Sequence, residues 1–318
     1  MTSRPVRTCF RAYQLGNAGA SFSFFSENIF TLIEARLTDI SRPNLDQELA
    51  YCGKSSIDVL HITSWDNDHC AMTDLEEILS CYEPIKIEYP GYPPHSETAK
   101  KCLRIIKNYQ TINFDRNRHV KCIAVDPSYI DSLKSAEDLA YRDILYHPRF
   151  LFDGESNNNS TIKLFRNGCF NVASLGDVED ANIGAYLRRS KIFGREVDVL
   201  LLAHHGSDCP TNSKKFLEAI QPRITICGSH FDNQFDHPRP EVRQRLFDLH
   251  IPLMTTKTGD VLIRSLPPHT HKFTAKNLIA NSTKISSEQD FVSRKSQLLS
   301  MNADTIRNIY RPHSKWHR

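Results

Sequence analysis

The stretch Ile57-Asp-Val-Leu-His-Ile-Thr-Ser-Trp-Asp-Asn-Asp-His69 constrains this chain more than any other. It reads as an apolar strand from Ile57 to Thr63 that ends abruptly in a polar cluster, Ser64 to His69. Asp66, Asp68 and His69 place two carboxylates and an imidazole within four residues. Like charges held that close repel unless a cation sits between them. Oxygen and imidazole ligands on a short loop suit a divalent metal such as Zn²⁺ or Mn²⁺. The competing reading is structural: Asp66 and Asn67 form a turn, and Asp68 caps a helix starting near Cys70.

Three further polar clusters also follow apolar runs. They are Gly176-Asp177 after Phe170–Leu175, His204-His205-Gly206 after Val197–Ala203, and Asp236-His237-Pro238 beyond the strand Ile224–Cys227. Open α/β sheets place their sites at the carboxyl ends of strands. If these strands deliver their ends to one edge, Asp177, His204, His205 and His237 converge on Asp66, Asp68 and His69. Taken singly, each cluster also has a bland reading: a turn, a satisfied core histidine or a helix entry.

Strands and helices alternate along the chain after an all-strand opening. Helical spacing covers Cys70–Tyr82, Ser96–Tyr109, 181–192, Ser213–Ile220 and about Glu241–Leu249. Thr161–Phe165 and Phe170–Leu175 form a hairpin across Arg166-Asn-Gly168. This pattern implies an α/β body with two sheets and helices outside.

Length allows one large domain or two small ones, since the chain has 318 residues. No apolar run approaches the length of a membrane span. The N-terminal Met1–Arg7 lacks the apolar core of a signal peptide. Nine cysteines are scattered singly without a CxxC pair, which argues against a zinc ribbon or disulfide framework and fits a reducing cytoplasm. Residues 266–318 hold nine Lys/Arg against three Asp/Glu, a balance of +6; the whole chain carries +3, so the remainder carries −3. The body is therefore no broad cationic platform for nucleic acid. The expected organisation is a domain over 1–265 and a basic tail over 266–318, with one helix from Ser286 to Tyr310. That tail either docks back on the body or serves as an arm for nucleic acid or a protein partner.

The order of motifs resembles the metallo-β-lactamase fold, and more narrowly the hydrolase domain of ComEC-type DNA-uptake channels and its stand-alone soluble relatives. The resemblance covers about residues 8–264. It rests on the strand–turn–strand Gln14–Ser21, on Ser64–His69 against H-x-D-x-D-H, and on Pro90-Gly91. It continues with Asn158-Asn159-Ser160, Gly176-Asp177, His204-His-Gly-Ser207, and Asp236–Val242 against G-H-P-H-P-E-V. The resemblance implies an αββα sandwich of two mixed sheets. It also implies a metal-dependent phosphodiesterase or nuclease holding one or two ions of Zn or Mn. Asp66, Asp68, His69, Asp177, His204 and His205 would be the metal residues, with either histidine of the pair open as the ligand. Asp68 and His237 would be catalytic, and Asn159, Ser160 and Ser207 would meet substrate, which is DNA or a nucleotide. The chain departs from the family at Ser64, where the family has a ligand histidine, and at Asp236, where it has glycine. The first departure implies an alternative: a catalytically impaired protein of this fold serving as a binding or regulatory partner.

Overall fold

The computed structural model describes residues 5–133 and 142–296. Apolar residues build the opening strands β1 (Cys9–Ala12), β2 (Phe22–Ser26) and β3 (Ile29–Ile33), which pair antiparallel. Glu27 and Asn28 both take positive φ and close the β2–β3 hairpin in two residues, the turn whose twist matches paired strands. From β3 the sheet continues in parallel through β4 (Val59–His61), β5 (Lys86–Pro90) and β6 (Lys121–Val125). Parallel neighbours need crossovers, here the helices α1 (Arg42–Cys52), α2 (Met72–Cys81) and α3 (Glu97–Asp115). The start of α3 is fixed by Ser96, whose hydroxyl accepts the Ala99 N–H at 3.1 Å.

After α4 (Pro127–Ser132), β7 (Ile144–His147), β8 (Ile162–Phe165) and β9 (Val172–Ser174) form an antiparallel meander. Then β10 (Val199–Leu201), β11 (Ile224–Cys227) and β12 (Leu253–Thr255) add in parallel to β9. They are separated by α5 (Ala181–Arg189), α6 (Lys191–Glu196), α7 (Lys214–Ile220) and α8 (Pro240–Asp248). The chain returns to the first sheet through β13 (Val261–Ser265), β14 (Lys272–Leu278) and β15 (Ile285–Val292). The two sheets have nine strands, ordered β15-β14-β13-β1-β2-β3-β4-β5-β6, and six, ordered β12-β11-β10-β9-β8-β7.

Both sheets are mixed, and both bury two faces. Between them lie Phe10, Phe22 and Phe24 from the first, against Phe165, Val199 and Ile226 from the second. The Phe24 and Phe165 rings meet at 5.3 Å. The outer face of the first sheet packs Leu32 and Leu60 against Leu45, Ile78 and Ile106 of α1, α2 and α3. The outer face of the second packs Leu164 and Leu200 against Leu187, Phe216 and Leu246 of α5, α7 and α8. The architecture is thus the expected αββα sandwich of two mixed sheets with helices outside. Among the described residues, no helix is long and apolar enough to cross a membrane.

One expectation is corrected. Ser286–Val292, read as the start of a helix, lies in β15, which pairs antiparallel with β14. The cross-strand pairs explain why. Phe291 stacks on Phe273 at 5.2 Å and Lys276 reaches Glu288 at 2.8 Å. The run Ser-Ser-Glu-Gln-Asp has little local drive to form a helix, and the open edge of β14 supplies backbone partners that override it. The remainder of that expected helix, 297–310, lies outside the described residues. The first sheet therefore continues beyond residue 265, through two strands of the segment read as a tail.

Asp198 fastens the end of that segment to the base of β10. It is fully buried, and its carboxylate accepts the Arg294 N–H at 2.7 Å and the Asn171 N–H at 2.9 Å. Burial nonetheless pushes its pKa up to about 6, from an ordinary 3.8. A carboxyl whose folded pKa is raised favours folding most below pH 3.8, and that contribution is lost as pH rises through 6. The stability advantage of the wild type over Asp198→Asn, read from urea midpoints, should therefore shrink by about 2 kcal/mol between pH 4 and 7. A pH-independent difference would contradict the buried acid.

Candidate metal centre

The carboxyl ends of β3 and β4 from the first sheet meet those of β9, β10 and β11 from the second at one edge of the sandwich. Thr161 N–H donates to the Thr63 carbonyl at 2.9 Å and stitches the sheets together there. The loop after β4 carries Asp68 and His69. It is braced by Arg36, whose guanidinium donates to the Asn67 carbonyl at 3.0 Å and to the Asp74 carboxylate at 2.9 Å. Beyond β9, Gly176 takes φ +53 in a gap where a Cβ would lie 2.7 Å from Ser160 Cβ, so only glycine brings Asp177 inward. Beyond β10, His204 N–H donates to the Gly176 carbonyl at 3.0 Å, which sets the histidine pair against Asp177.

Four residues offer ligand atoms within 4.8 Å of one another: Asp68, His69, Asp177 and His205. His69 Nε2 lies 2.9 Å from Asp177 Oδ2, and His205 Nε2 lies 3.1 Å from Asp68 Oδ2 and 4.0 Å from Asp177 Oδ1. His69 and Asp177 are buried, while Asp68 and His205 are half-buried and open the cluster to solvent. Burial opposes charging the His69 ring, but Asp177, Glu34 and Asp68 outweigh it and hold its pKa well above the ordinary value. Burial opposes the charge on His205 in the same way, and Asp177 and Asp68 raise it. The carboxyls move oppositely: burial works against the ionised Asp177, and His69 and His205 keep its pKa low.

These residues fit a divalent ion. Among the described residues, buried His69 Nε2 has no hydrogen-bond partner, although Asp177 Oδ2 lies 2.9 Å away. The far nitrogen of each ring is tied back. His205 Nδ1 donates to the Gly228 carbonyl at 2.8 Å, and His69 Nδ1 lies 3.2 Å from Glu34 Oε1 and 3.3 Å from Thr63 Oγ1. Anchoring Nδ1 fixes the ring and aims the Nε2 lone pair at the cluster. Two imidazoles and two carboxylates are donors suited to a divalent transition metal.

The remaining expected residues divide. Asp66 stands outside the four-residue set and accepts the Ser64 hydroxyl at 3.1 Å. Ser64 also meets the Tyr92 hydroxyl at 3.1 Å, and that hydroxyl accepts the Trp65 N–H at 3.0 Å. His204 turns away from the set: its Nδ1 lies 2.6 Å from Glu179 Oε1, which also accepts the Ser207 hydroxyl at 2.8 Å. His237 closes the group, its ring 5.8 Å from that of His204 and 6.5 Å from that of His205. Burial first, then the charges on His204 and His205, push its pKa down to about 4. Asn159 spends its side chain on the backbone of Phe152 and Glu155. Ser160 is buried, and its hydroxyl has no partner among the described residues. Glu34 and Glu179 escaped the sequence reading. Each has a positional signal: Glu34 directly follows the apolar run of β3, and Glu179 sits two residues after Asp177.

No family model matches the chain. Part of it is similar to ComE operon protein 3 of Bacillus subtilis (strain 168), with 26% identity over 121 residues, which are 37% of this chain and 15% of that protein. Among solved structures, it is similar to Igni18, a metallo hydrolase from the hyperthermophilic archaeon Ignicoccus hospitalis KIN4/I. That match has 13% identity, a TM-score of 0.45, and covers 80% of this chain and 98% of that one. The metallo-beta-lactamase fold protein YhfI from Bacillus subtilis matches with 11% identity and a TM-score of 0.43 over 78% of this chain and 95% of that one. A diphosphatase from the PhnP family matches with 13% identity and a TM-score of 0.36 over 69% and 85%.

Metal retention after loading and desalting separates these residues. Asp177→Ala and His205→Ala should come through without divalent metal, whereas His204→Ala and Asp66→Asn should retain it. Glu34→Gln should weaken affinity by about 10- to 100-fold through the loosened His69 ring. Equal loss in His204→Ala and His205→Ala would refute the assignment.

Proposed function

We propose that the chain is a metal-dependent hydrolase acting on phosphodiesters, with DNA or a nucleotide as substrate. The observation that carries this reading is the four-residue cluster with both imidazoles tied back at Nδ1. Asp68, His69, Asp177 and His205 would hold one divalent ion, Zn or Mn. When bound, it would neutralise phosphate charge and lower the pKa of water toward neutrality.

The chain's own residues would do the rest. The side chain of Asp68 is about one-third exposed and its carboxyl is held well below the usual range, with burial opposed by His69 and His205. It stays ionised and orients a water molecule for attack. His237 lines the same pocket as Asp68 and would offer a ring N–H to a phosphate oxygen. His204 and Ser207 share Glu179, which fixes their orientation beside the cluster.

A second reading rests on Ser64. With a hydroxyl satisfied by Tyr92 in place of a ligand histidine, and Asp66 outside the set, the site would hold a single ion without turnover. The protein would then bind a partner or a signal.

The deciding experiment loads the full chain with Mn²⁺ or Zn²⁺ and follows hydrolysis of bis(p-nitrophenyl) phosphate and of single-stranded DNA. Hydrolysis should require metal and fall by at least about 100-fold in Asp68→Ala and His69→Ala. Activity unchanged in both variants would refute the site, and metal bound at one equivalent without hydrolysis would favour the second reading. Ser64→His should raise metal occupancy if position 64 adjoins a further ion.

A further inference from the structure

The loop between β11 and α8 forms the outer wall of the metal pocket, and nothing in the metal chemistry accounts for its aromatic content. Phe231 is 69% exposed and Phe235 is 58% exposed, costly positions for large apolar rings. Their exposure does not come from a loose loop. Asn233 donates to the His230 and His237 carbonyls at 2.9 and 3.0 Å, and accepts the His237 N–H at 2.6 Å. Arg239 donates to the Phe235 carbonyl at 3.0 Å. The segment is therefore pinned at both ends with Phe235 held out.

Phe235 is also aimed. Its ring lies 5.5 Å from that of His237 at 26°, and His237 stacks at 15° on the ring of His205. Three near-parallel rings thus run from solvent to a metal-cluster residue. The pocket beside them has a volume of about 330 Å³, within the range of small-molecule sites. Asp68 and Asp232 line it, and among the described residues neither lysine nor arginine does. A groove tracking a long polyanion needs rows of cations. This one suits a flat ring and a single phosphate.

We propose that Phe235 is a stacking platform for an unpaired nucleobase, which places one nucleotide in the pocket with its phosphate toward Asp68 and His205. This rests on the phosphodiesterase reading of the same site. Every nucleobase has a π-face, so the platform recognises the ring without selecting sequence. The docked residue is a free nucleotide or the end of a single strand, and a base inside a duplex is excluded because neighbours in the stack cover both of its faces.

The test uses Zn-loaded protein and 2-aminopurine riboside 5′-monophosphate, whose fluorescence falls on stacking. Binding should quench the probe, and ribose 5-phosphate should compete at least tenfold more weakly. Phe235→Ala should weaken binding by about 5- to 150-fold and abolish the quench, while Phe235→Trp should preserve both. Phe235 is exposed, so these variants should fold, as circular dichroism would show. 2-Aminopurine placed at the end of a single-stranded oligonucleotide, compared with the mononucleotide and with a duplex end, separates the two sources. Equal competition by ribose 5-phosphate, or binding unchanged in Phe235→Ala, would overturn the platform. Hydrolysis of bis(p-nitrophenyl) phosphate by the same preparation keeps the two readings apart. Turnover without a quench rejects the platform alone, and a quench without turnover rejects the hydrolase alone.

Discussion

Alternating charge buried at a seam between two sheets is the constraint on which this structure depends. Glu34, His69, Asp177, His205 and Asp68 follow one another as carboxylate, imidazole, carboxylate, imidazole and carboxylate. Glu34 is 1% exposed and Asp177 3%. Charges buried this deeply cost several kcal/mol each unless every one is paired and hydrogen-bonded. The five groups arrive from four strand ends, those of β3, β4, β9 and β10, with Asp68 and His69 sharing the loop after β4, so the registers of both sheets must agree. With both imidazoles protonated, the row carries three negative and two positive charges. A divalent ion with two neutral imidazoles carries the same total. Metal can therefore replace two protons without changing the net charge that the surrounding fold must accommodate.

The loop from Ser64 to His69 has two halves with different chemistry. Asp68 and His69 point into the cluster, whereas Ser64 and Trp65 are held by Tyr92 and Asp66 by Ser64. The Tyr92 hydroxyl takes the Trp65 N–H, and its carbonyl takes the Trp65 indole N–H at 3.1 Å. Burial pushes the Tyr92 pKa up to about 12, so it remains a neutral hydrogen-bonding group. A hydroxyl at position 64 bridges Tyr92 and Asp66 in this network. The first half of the loop thereby gains rigidity from hydrogen bonds, and that rigidity carries the second half into place.

What the sequence made legible follows the same division. Apolar runs ending in Asp, His and Gly announced the strand ends, since burial on both faces of each sheet favours apolar residues along the strand. The two-sheet α/β body and the candidates Asp68, His69 and Asp177 followed from that pattern, with His204 and His205 both left open; the αββα arrangement came from the resemblance. Glu34 was illegible because a single acidic residue after a strand resembles any solvated loop. Its role depends on Thr63, whose hydroxyl it accepts at 2.5 Å and whose N–H it accepts at 3.0 Å, from another strand. Strand β15 was illegible for a related reason. Its drive comes from an edge created by β14, and a local window around Ser286–Val292 contains no trace of that edge.

The histidine pair shows where local reading stops and geometry begins. Neighbouring residues in a regular strand point to opposite faces, so one of two consecutive histidines would face away from any site. Here the chain leaves β10 and both residues take positive φ, 45° at His204 and 51° at His205. Such conformations cost non-glycine residues of order 1–3 kcal/mol each and persist only when the surroundings enforce them. The enforcement is visible. His204 is gripped by Glu179, and His205 by the Gly228 carbonyl behind and Asp68 in front. The strain swings both rings to the same edge and hands them different neighbours. One imidazole joins the candidate metal cluster while the other, beside His237, faces the pocket.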